Sequence, residues 1–311
     1  MGPHYRIIHR NELHFLQRQT MIWILANPVA GQGRARRFAE RAALQLQRDG
    51  IPLELHYTHQ KGHGYQLAAQ AVSEGVETVA VCGGDGTLSE VVPALLNTPT
   101  SLGLLPFGTA NDFARGLGVP RTLGKAVQTL VEGRAAPIDL GRCGDRYFST
   151  VAAYGFDAEV SAAMEAGQAP LGGTAGYVLQ ALRHLRHFTP PQTTLIGSFG
   201  RFEGPVFLVA SANTRSYGGG MQIAPNADPQ DGLLDVCIIE PLTYAQALSL
   251  LPSVFLGRHI HHPSVHIVRT EALEISGETE CLFSADGERC GTTPLRITSV
   301  PKALRVILPT A

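Results

Sequence analysis

The sequence predicts an α/β protein of two domains, an N-terminal parallel-sheet α/β domain and a C-terminal β-sandwich, with a cleft between them. Three observations lead there. Short apolar runs alternate with helical stretches from Met21 to about Ile138, the pattern of a parallel sheet covered on both faces. From about Asp139 strand-like runs dominate and helices become few, which reads as a sandwich. The chain has 311 residues, enough for two ordinary domains, and no long linker marks the boundary, so the domains pack around a cleft.

Residues 1–20 are polar with scattered His and Arg and have no apolar stretch. They read as a flexible extension rather than a secretory signal, with the fold beginning at Met21, itself an alternative start. Met21–Ala26 is the first strand and Arg34–Arg48 a helix, with Phe38, Ala42 and Leu46 on one face. Leu53–Thr58, Val76–Cys82 and Leu102–Leu105 read as strands, and Tyr65–Ser73, Leu88–Leu96 and Thr122–Glu132 as helices. This domain spans 21–138. In the second, 139–311, the strands are Tyr147–Ala152, Thr193–Phe199, Pro205–Ala210, Leu234–Ile239, His266–Thr270, Ala272–Ser276, Leu295–Thr298 and Ala303–Leu308, the last placed to pack back on the first domain. Helices fall near Ala158–Ala166, Gly176–His187 and Tyr244–Leu251.

Composition excludes several classes. A content of 44% hydrophobic and 16% charged residues is that of a soluble globular protein, and a formal net charge of −1 lacks the basic excess of a nucleic-acid binder. No apolar run approaches the ~20 residues of a membrane span. The five cysteines, Cys82, Cys143, Cys237, Cys281 and Cys290, are scattered without a Cys-x-x-Cys pair, which points to reduced, buried thiols in a cytoplasmic protein. No P-loop pattern occurs.

The chemistry is carried by loops at the carboxyl ends of the first domain's strands, where ligands of such sheets bind. Gly83-Gly84-Asp85-Gly86-Thr87 lies between a strand and a helix. Glycines let backbone approach phosphate, and the helix N-terminus presents free N–H groups. Thr87 with Glu90 is spaced as a capping box, although Pro93 favours a start nearer Ser89. Asp85 inside a phosphate cradle calls for a cation between the two charges, hence a Mg²⁺-nucleotide. Asn27-Pro28-Val29-Ala30-Gly31 occupies the same position after the first strand, with Arg34, Arg36 and Arg37 beyond it on what is most simply a solvated helix face. Phe107-Gly108-Thr109-Ala110-Asn111-Asp112 brings Thr109, Asn111 and Asp112 to the same edge, as helix caps or as a second acid for phosphoryl transfer. In the second domain, Tyr217–Gly220, Asp228–Asp235 and Asp286-Gly287-Glu288 cluster acids in a region poor in charge, although each Asp-Gly also suits a turn.

Taken in order from residue 27 to residue 288, these segments resemble the diacylglycerol kinase catalytic-domain family, which includes sphingosine and ceramide kinases, and most of all its bacterial soluble lipid kinases. The resemblance implies that Asn27, Pro28, Gly31, Thr58, Gly83, Gly84, Asp85, Gly86, Thr87, Leu88, Ser89, Thr109, Asn111 and Asp112 contact ATP and its Mg²⁺. It implies Glu288 as general base beside Asp85, and a structural Mg²⁺ held by Asp228, Asp231 and the Leu233 carbonyl. His63-Gly64-Tyr65 and Tyr154 depart from the family pattern without removing a catalytic group. The expected activity is transfer of phosphate to the hydroxyl of a diacylglycerol-like lipid, with transient contact at the membrane surface, no nucleic acid, and room for a homodimer. A soluble-metabolite kinase of the NAD kinase type and a non-catalytic nucleotide- or lipid-binding regulator are the rival readings. Arg258–His262 reads as a surface loop rather than a metal site. The basic end of Gly176–His187, with Arg183 and Arg186, serves equally the helix dipole or an anionic membrane.

Overall fold

The computed structural model describes residues 21–31, 33–167 and 173–310; the extension expected at 1–20 lies outside them. The first domain runs β1 (Ile22–Ala26), α1 (Ala35–Arg48), β2 (Leu53–Tyr57), α2 (His63–Ser73), β3 (Thr78–Gly83), α3 (Asp85–Leu95), β4 (Ser101–Pro106), α4 (Asp112–Gly116) and α5 (Leu123–Glu132). Its strands pair in parallel in the order β2-β1-β3-β4. β1, β3 and β4 are buried along their whole length, as strands covered by helices on both faces must be. Trp23, Leu25, Val79 and Val81 pack on Leu67 of α2 and on Val91 and Leu95 of α3. Ile22, Ile24 and Ala80 face the other way, onto Ala39 and Leu46 of α1 and Val127 of α5.

The second domain holds β5 (Arg134–Cys143), β6 (Arg146–Phe148), β7 (Val151–Gly155), α6 (Phe156–Glu165), α7 (Gly173–His184), β8 (Gln192–Gly197), β9 (Gly200–Pro205), β10 (Leu208–Ala212), β11 (Leu234–Ile239), α8 (Tyr244–Phe255), β12 (Val265–Thr270), β13 (Ala272–Gly277), β14 (Leu282–Ala285), β15 (Glu288–Thr292) and β16 (Leu295–Leu308). One sheet is six-stranded, β12-β11-β10-β7-β14-β15. The other, β16-β13-β8-β9 with β5 and β6, continues directly from β4 of the first domain. Phe148, Tyr154, Leu195, Val209, Phe283 and Ile297 fill the space between the sheets. The outer face of the six-stranded sheet is covered too, with Val151, Ala153 and Phe207 in the same cluster as Leu250 and Val254 of α8. Among the described residues no helix is long and apolar enough to cross a membrane.

β16 joins the domains. Its Val306 stands opposite Leu102 of β4 in parallel, while Leu295–Thr298 pairs antiparallel with β13. The two strands expected at Leu295–Thr298 and Ala303–Leu308 are therefore one strand of 14 residues, bulged between Val300 and Leu304. Lys302 takes φ 55 there, and its N–H donates to Asp139 Oδ1 at 2.7 Å. Asp139 Oδ2 accepts from Gly232 N at 2.7 Å, so this buried carboxylate binds the bulge to the turn before β11.

Other expectations need correction. α3 starts at Asp85, three residues earlier than Leu88, because the extended Gly84 is its N-cap; no capping box from Thr87 forms, and Pro93 is carried inside the helix. β5, β9, β14 and β15 have no counterpart among the expected strands. Pro137 and Asp139 hide the apolar pattern of β5, and the hairpin β14–β15 is short and interrupted by polar residues. Cys143 and Cys290 form a disulfide rather than remaining separate thiols, because β5 and β15 come together at the end of the sandwich. His259 is buried on a short 3₁₀ turn, bonded to the Ile223 carbonyl at 3.0 Å, rather than lying in a surface loop.

Candidate active site

Two glycine loops cross at the carboxyl edge of the parallel sheet. A Cβ on Gly84 would stand 3.1 Å from the Gly108 Cα, and one on Gly108 would stand 2.4 Å from the Gly84 Cα. Only glycine at both positions permits this approach. Asn111, at φ 52, holds the second loop shut: its amide donates to the Gly108 carbonyl and its Oδ1 accepts from Gly108 N, both at 2.8 Å. Asn111 thus shapes the loop instead of capping α4 with its side chain.

A cavity of about 650 Å³ opens over this crossing, lined by Asn27, Pro28, Thr58, Gly84, Gly86, Thr87, Gly108 and Glu288. It faces the N-terminus of α3, whose first N–H groups have no partner within the helix. Gly31 lies in an adjoining recess with Arg34, Thr109 and Arg121. Three expected contacts stand elsewhere. Gly83 is a buried strand end and Leu88 belongs to the core. Ser89 Oγ instead meets Arg146 at 3.5 Å.

A second cavity, about 280 Å³, lies against the first and holds the acids Asp85, Asp112, Asp157 and Asp286. Burial pushes the Asp85 carboxyl up, and the neighbouring charge of Asp112 adds to the shift. Burial also raises Asp112, against the opposing pull of the Gly219 N–H and the Arg115 guanidinium. Gly219 N donates to Asp112 Oδ2 at 2.7 Å, and Arg115 pairs with Oδ1. Two buried carboxylates that repel each other, with phosphate-binding backbone beside them, suit a hard divalent cation that takes one or two carboxylates and completes its shell with phosphate and water. Asp286 is already satisfied. It heads a hairpin turn with φ 49, followed by Gly287 at φ 81. Its oxygens accept from Ser149 N at 2.7 Å and Thr150 N at 2.9 Å, and from both hydroxyls.

Glu288, the next residue but one, opens on the glycine-lined cavity and pairs with Arg146 of β6. Arg146 was missed by sequence reasoning; its pairing depends on β6 and β15 meeting at the cleft, and no local pattern signals that. On the far side of the acid cavity lies a narrow apolar chamber of about 80 Å³, walled by Phe156, Leu182, Phe207, Leu248 and Leu251.

The remaining expected metal set lies away from this cleft. Asp228 Oδ1 accepts from Gln230 N at 3.1 Å, Asp231 Oδ1 accepts from Leu233 N at 2.9 Å, and Arg269 pairs with Asp231. Asp235, directly opposite Arg269 in the β11–β12 ladder, ends the acid-rich segment read from the sequence but was not assigned to the expected metal set. Its Oδ2 is buried without a hydrogen bond among the described residues, 3.5 Å from the Arg269 Nε. Burial, reinforced by Asp228, pushes its carboxyl up to about 6. A small cation at this turn would share these acids with the Arg269 guanidinium, which pairs with both Asp231 and Asp235. Among the described residues no three His, Cys, Asp or Glu side chains form a metal cluster of their own.

Comparison with known proteins agrees with this architecture. The diacylglycerol kinase catalytic domain matches residues 21–143, and the YegS C-terminal NAD kinase beta sandwich-like domain matches residues 150–308. A diacylglycerol kinase of Mycobacterium tuberculosis is 34% identical over 292 residues, covering 92% of this chain and 94% of that one. A Klebsiella pneumoniae protein named "Probable lipid kinase YegS-like" is 33% identical over 276 residues, covering 86% and 91%. A solved diacylglycerol kinase structure from Bacillus anthracis covers 94% of this chain and 97% of that one, with a TM-score of 0.71 at 20% identity, a likeness of fold.

Proposed function

This chain belongs to the diacylglycerol kinase catalytic-domain family of lipid kinases, and on that premise we propose that it transfers the γ-phosphate of ATP, with Mg²⁺, to a hydroxyl of a diacylglycerol-like lipid. One observation carries the reading. At three places consecutive residues divide between the two cavities: Gly84 faces one and Asp85 the other, Gly108 one and Thr109 the other, Glu288 one and Gly287 the other. A phosphate chain laid along the glycines ends at the acids, and the apolar chamber lies beyond them.

In this reading the backbone N–H groups at Gly84, Asp85 and Gly86 hold the phosphates, and Thr58 and Asn27 border the nucleoside end. When bound, Mg²⁺ neutralises the phosphate oxygens next to Asp85 and Asp112. Gly219 N and Arg115 fix the Asp112 carboxylate, so its charge is already in place before the acceptor arrives. We assign proton acceptance to Asp85 rather than Glu288. Asp85 lies on the acceptor side, whereas Glu288 opens on the nucleotide side already paired with Arg146. Glu288 then orients Arg146 across the phosphates. The Asp228–Asp235 turn is proposed as a structural cation site, with Asp235 added to the expected set of Asp228, Asp231 and Leu233.

Docking on a bilayer is part of the same proposal. Tyr244 and Leu248 of α8 are exposed beside the chamber, and the Arg186 guanidinium lies 5.6 Å from the Tyr244 ring centroid. Apolar side chains next to a cation suit transient contact with an anionic leaflet.

The test is a radiolabelled-ATP assay against a panel of hydroxyl lipids in anionic vesicles, with NAD in parallel. Label in a lipid is the expected result. Label in NAD alone would replace this reading with a metabolite kinase.

A further inference from the structure

Three side chains line both the acid cavity and the apolar chamber: Asp157, Tyr177 and Tyr217. Asp157 is in the first turn of α6 and only 3% exposed. Its Oδ1 accepts two hydroxyls, that of Tyr217 at 2.8 Å and that of Tyr177. Its Oδ2 takes no hydrogen bond from a described residue. A buried carboxylate with one unmet oxygen is costly unless a polar group reaches it. Both tyrosine hydroxyls are spent on Oδ1, and the chamber beyond is apolar. Oδ2 is left to a group outside the described residues, and the two cavities that Asp157 lines give an occupant of the neck access to this carboxylate.

We propose that Asp157 Oδ2 is a specificity-determining contact of the acceptor site, bonding the polar group that joins a chain in the apolar chamber to the reacting hydroxyl near Asp85. The proposal rests on the lipid-kinase reading of the cleft and narrows it. The accepted class is amphiphiles with an ester, amide or second hydroxyl beside the reactive one; simple long-chain alcohols are rejected because they leave Oδ2 unmet. Sites built around a hydrogen bond discriminate strongly against the analogue that lacks it. The location also explains why an acid stands at the mouth of an otherwise apolar space. Burial raises the Asp157 carboxyl while the two tyrosine bonds pull it down, which equips the group to accept from a hydroxyl or, when protonated, to donate to a carbonyl.

The experiment compares kcat/KM for dioleoylglycerol and oleyl alcohol, at equal surface fraction in mixed micelles with saturating Mg-ATP. The wild-type chain is compared with Asp157→Asn, Asp157→Leu and Tyr177→Phe. The expected result is a wild-type preference for dioleoylglycerol that falls at least tenfold in Asp157→Leu, and by less in Asp157→Asn, with KM for ATP unmoved. A purely structural Asp157 lowers both acceptors in proportion together with the melting temperature, and that outcome overturns the proposal. If Asp157→Leu does not fold, Asp157→Asn and Tyr177→Phe carry the comparison. Calorimetry with dioctanoylglycerol against 1-decanol gives a readout independent of turnover. Equal binding of the two by the wild type refutes the neck contact. A wild type that discriminates in binding but labels no lipid refutes the kinase reading and leaves the neck contact standing.

Discussion

Gly84 and Gly108 touch backbone to backbone, so close that a side chain on Gly108 would begin 2.4 Å from the Gly84 Cα. The contact pins the loop after β4 to the N-terminus of α3 and so sets the floor of the proposed phosphate site. Gly108→Ala should force the loops apart and raise the KM for ATP at least tenfold, while the core beneath stays folded. Circular dichroism with ATP titration checks both. An unchanged KM would mean that the phosphates lie elsewhere.

Asp112 raises Asp85 by its charge, the largest contribution after burial. If Asp85 must be ionised to take the proton, the kcat profile has an acid limb that the charges around Asp85 set. Removing the neighbouring charge with Asp112→Asn should slow the reaction yet move that limb to lower pH. A limb that stays in place, or moves up, would separate Asp85 from the proton transfer.

Much of this site was legible in the sequence because its parts are local. A strand, a glycine turn and a helix are contiguous in Gly83–Leu95, and β3 and α3 follow from that pattern with only the helix start displaced. Asp286 shows where local reading ends. Asp-Gly announced a hairpin turn, but not that its carboxylate would hold Ser149 and Thr150, in the link between β6 and β7 more than a hundred residues earlier in the chain. Arg146 and Asp157 were likewise invisible as site residues, each in a stretch whose spacing suggests nothing beyond an ordinary strand or helix. Asp235 stands in the acid-rich Asp228–Asp235 stretch, but its place opposite Arg269 is fixed only when β11 and β12 meet in the folded sandwich. β5 was missed for a related reason. Its Asp139 is buried only because the β16 bulge and the Gly232 turn supply N–H donors that no local window contains.

Asp235 offers a stability test with a definite sign. Its carboxyl is pushed from the ordinary 3.8 up to about 6 in the fold, so the native state binds the proton more tightly than the unfolded chain. Stability then falls as pH rises between about 4 and 6, and the cost is complete at neutral pH. Asp235→Asn should melt higher than wild type at pH 7.5, by about 2–4 °C, the shift that ~1 kcal/mol produces in domains of 150–250 residues. At pH 4 the two should nearly coincide. If the turn binds a cation, Mg²⁺ raises the wild-type melting temperature at pH 7.5 and leaves the variant unmoved. Equal differences at both pH values would show that Asp235 is not the titrating group.

Glu288 and Asp85 make opposite demands on one pair of variants. A base that takes the acceptor proton is worth ~10²–10⁴ in rate, and its amide cannot replace it. Glu288 lies on the nucleotide side, joined to Arg146, which also approaches Ser89 of α3. Glu288→Gln frees that arginine without removing a base, so it should weaken ATP binding several-fold and lower kcat by no more than about tenfold, below the range for losing a base. Arg146→Ala should reproduce the weaker ATP binding, because the pair acts as one unit. Asp85→Asn should lower kcat at least a hundredfold at saturating ATP. Steady-state kinetics on the three variants decides between the carboxylates. A collapse of kcat in Glu288→Gln with ATP affinity intact would return the base to Glu288 and require the β14–β15 hairpin to swing its side chain toward the acceptor.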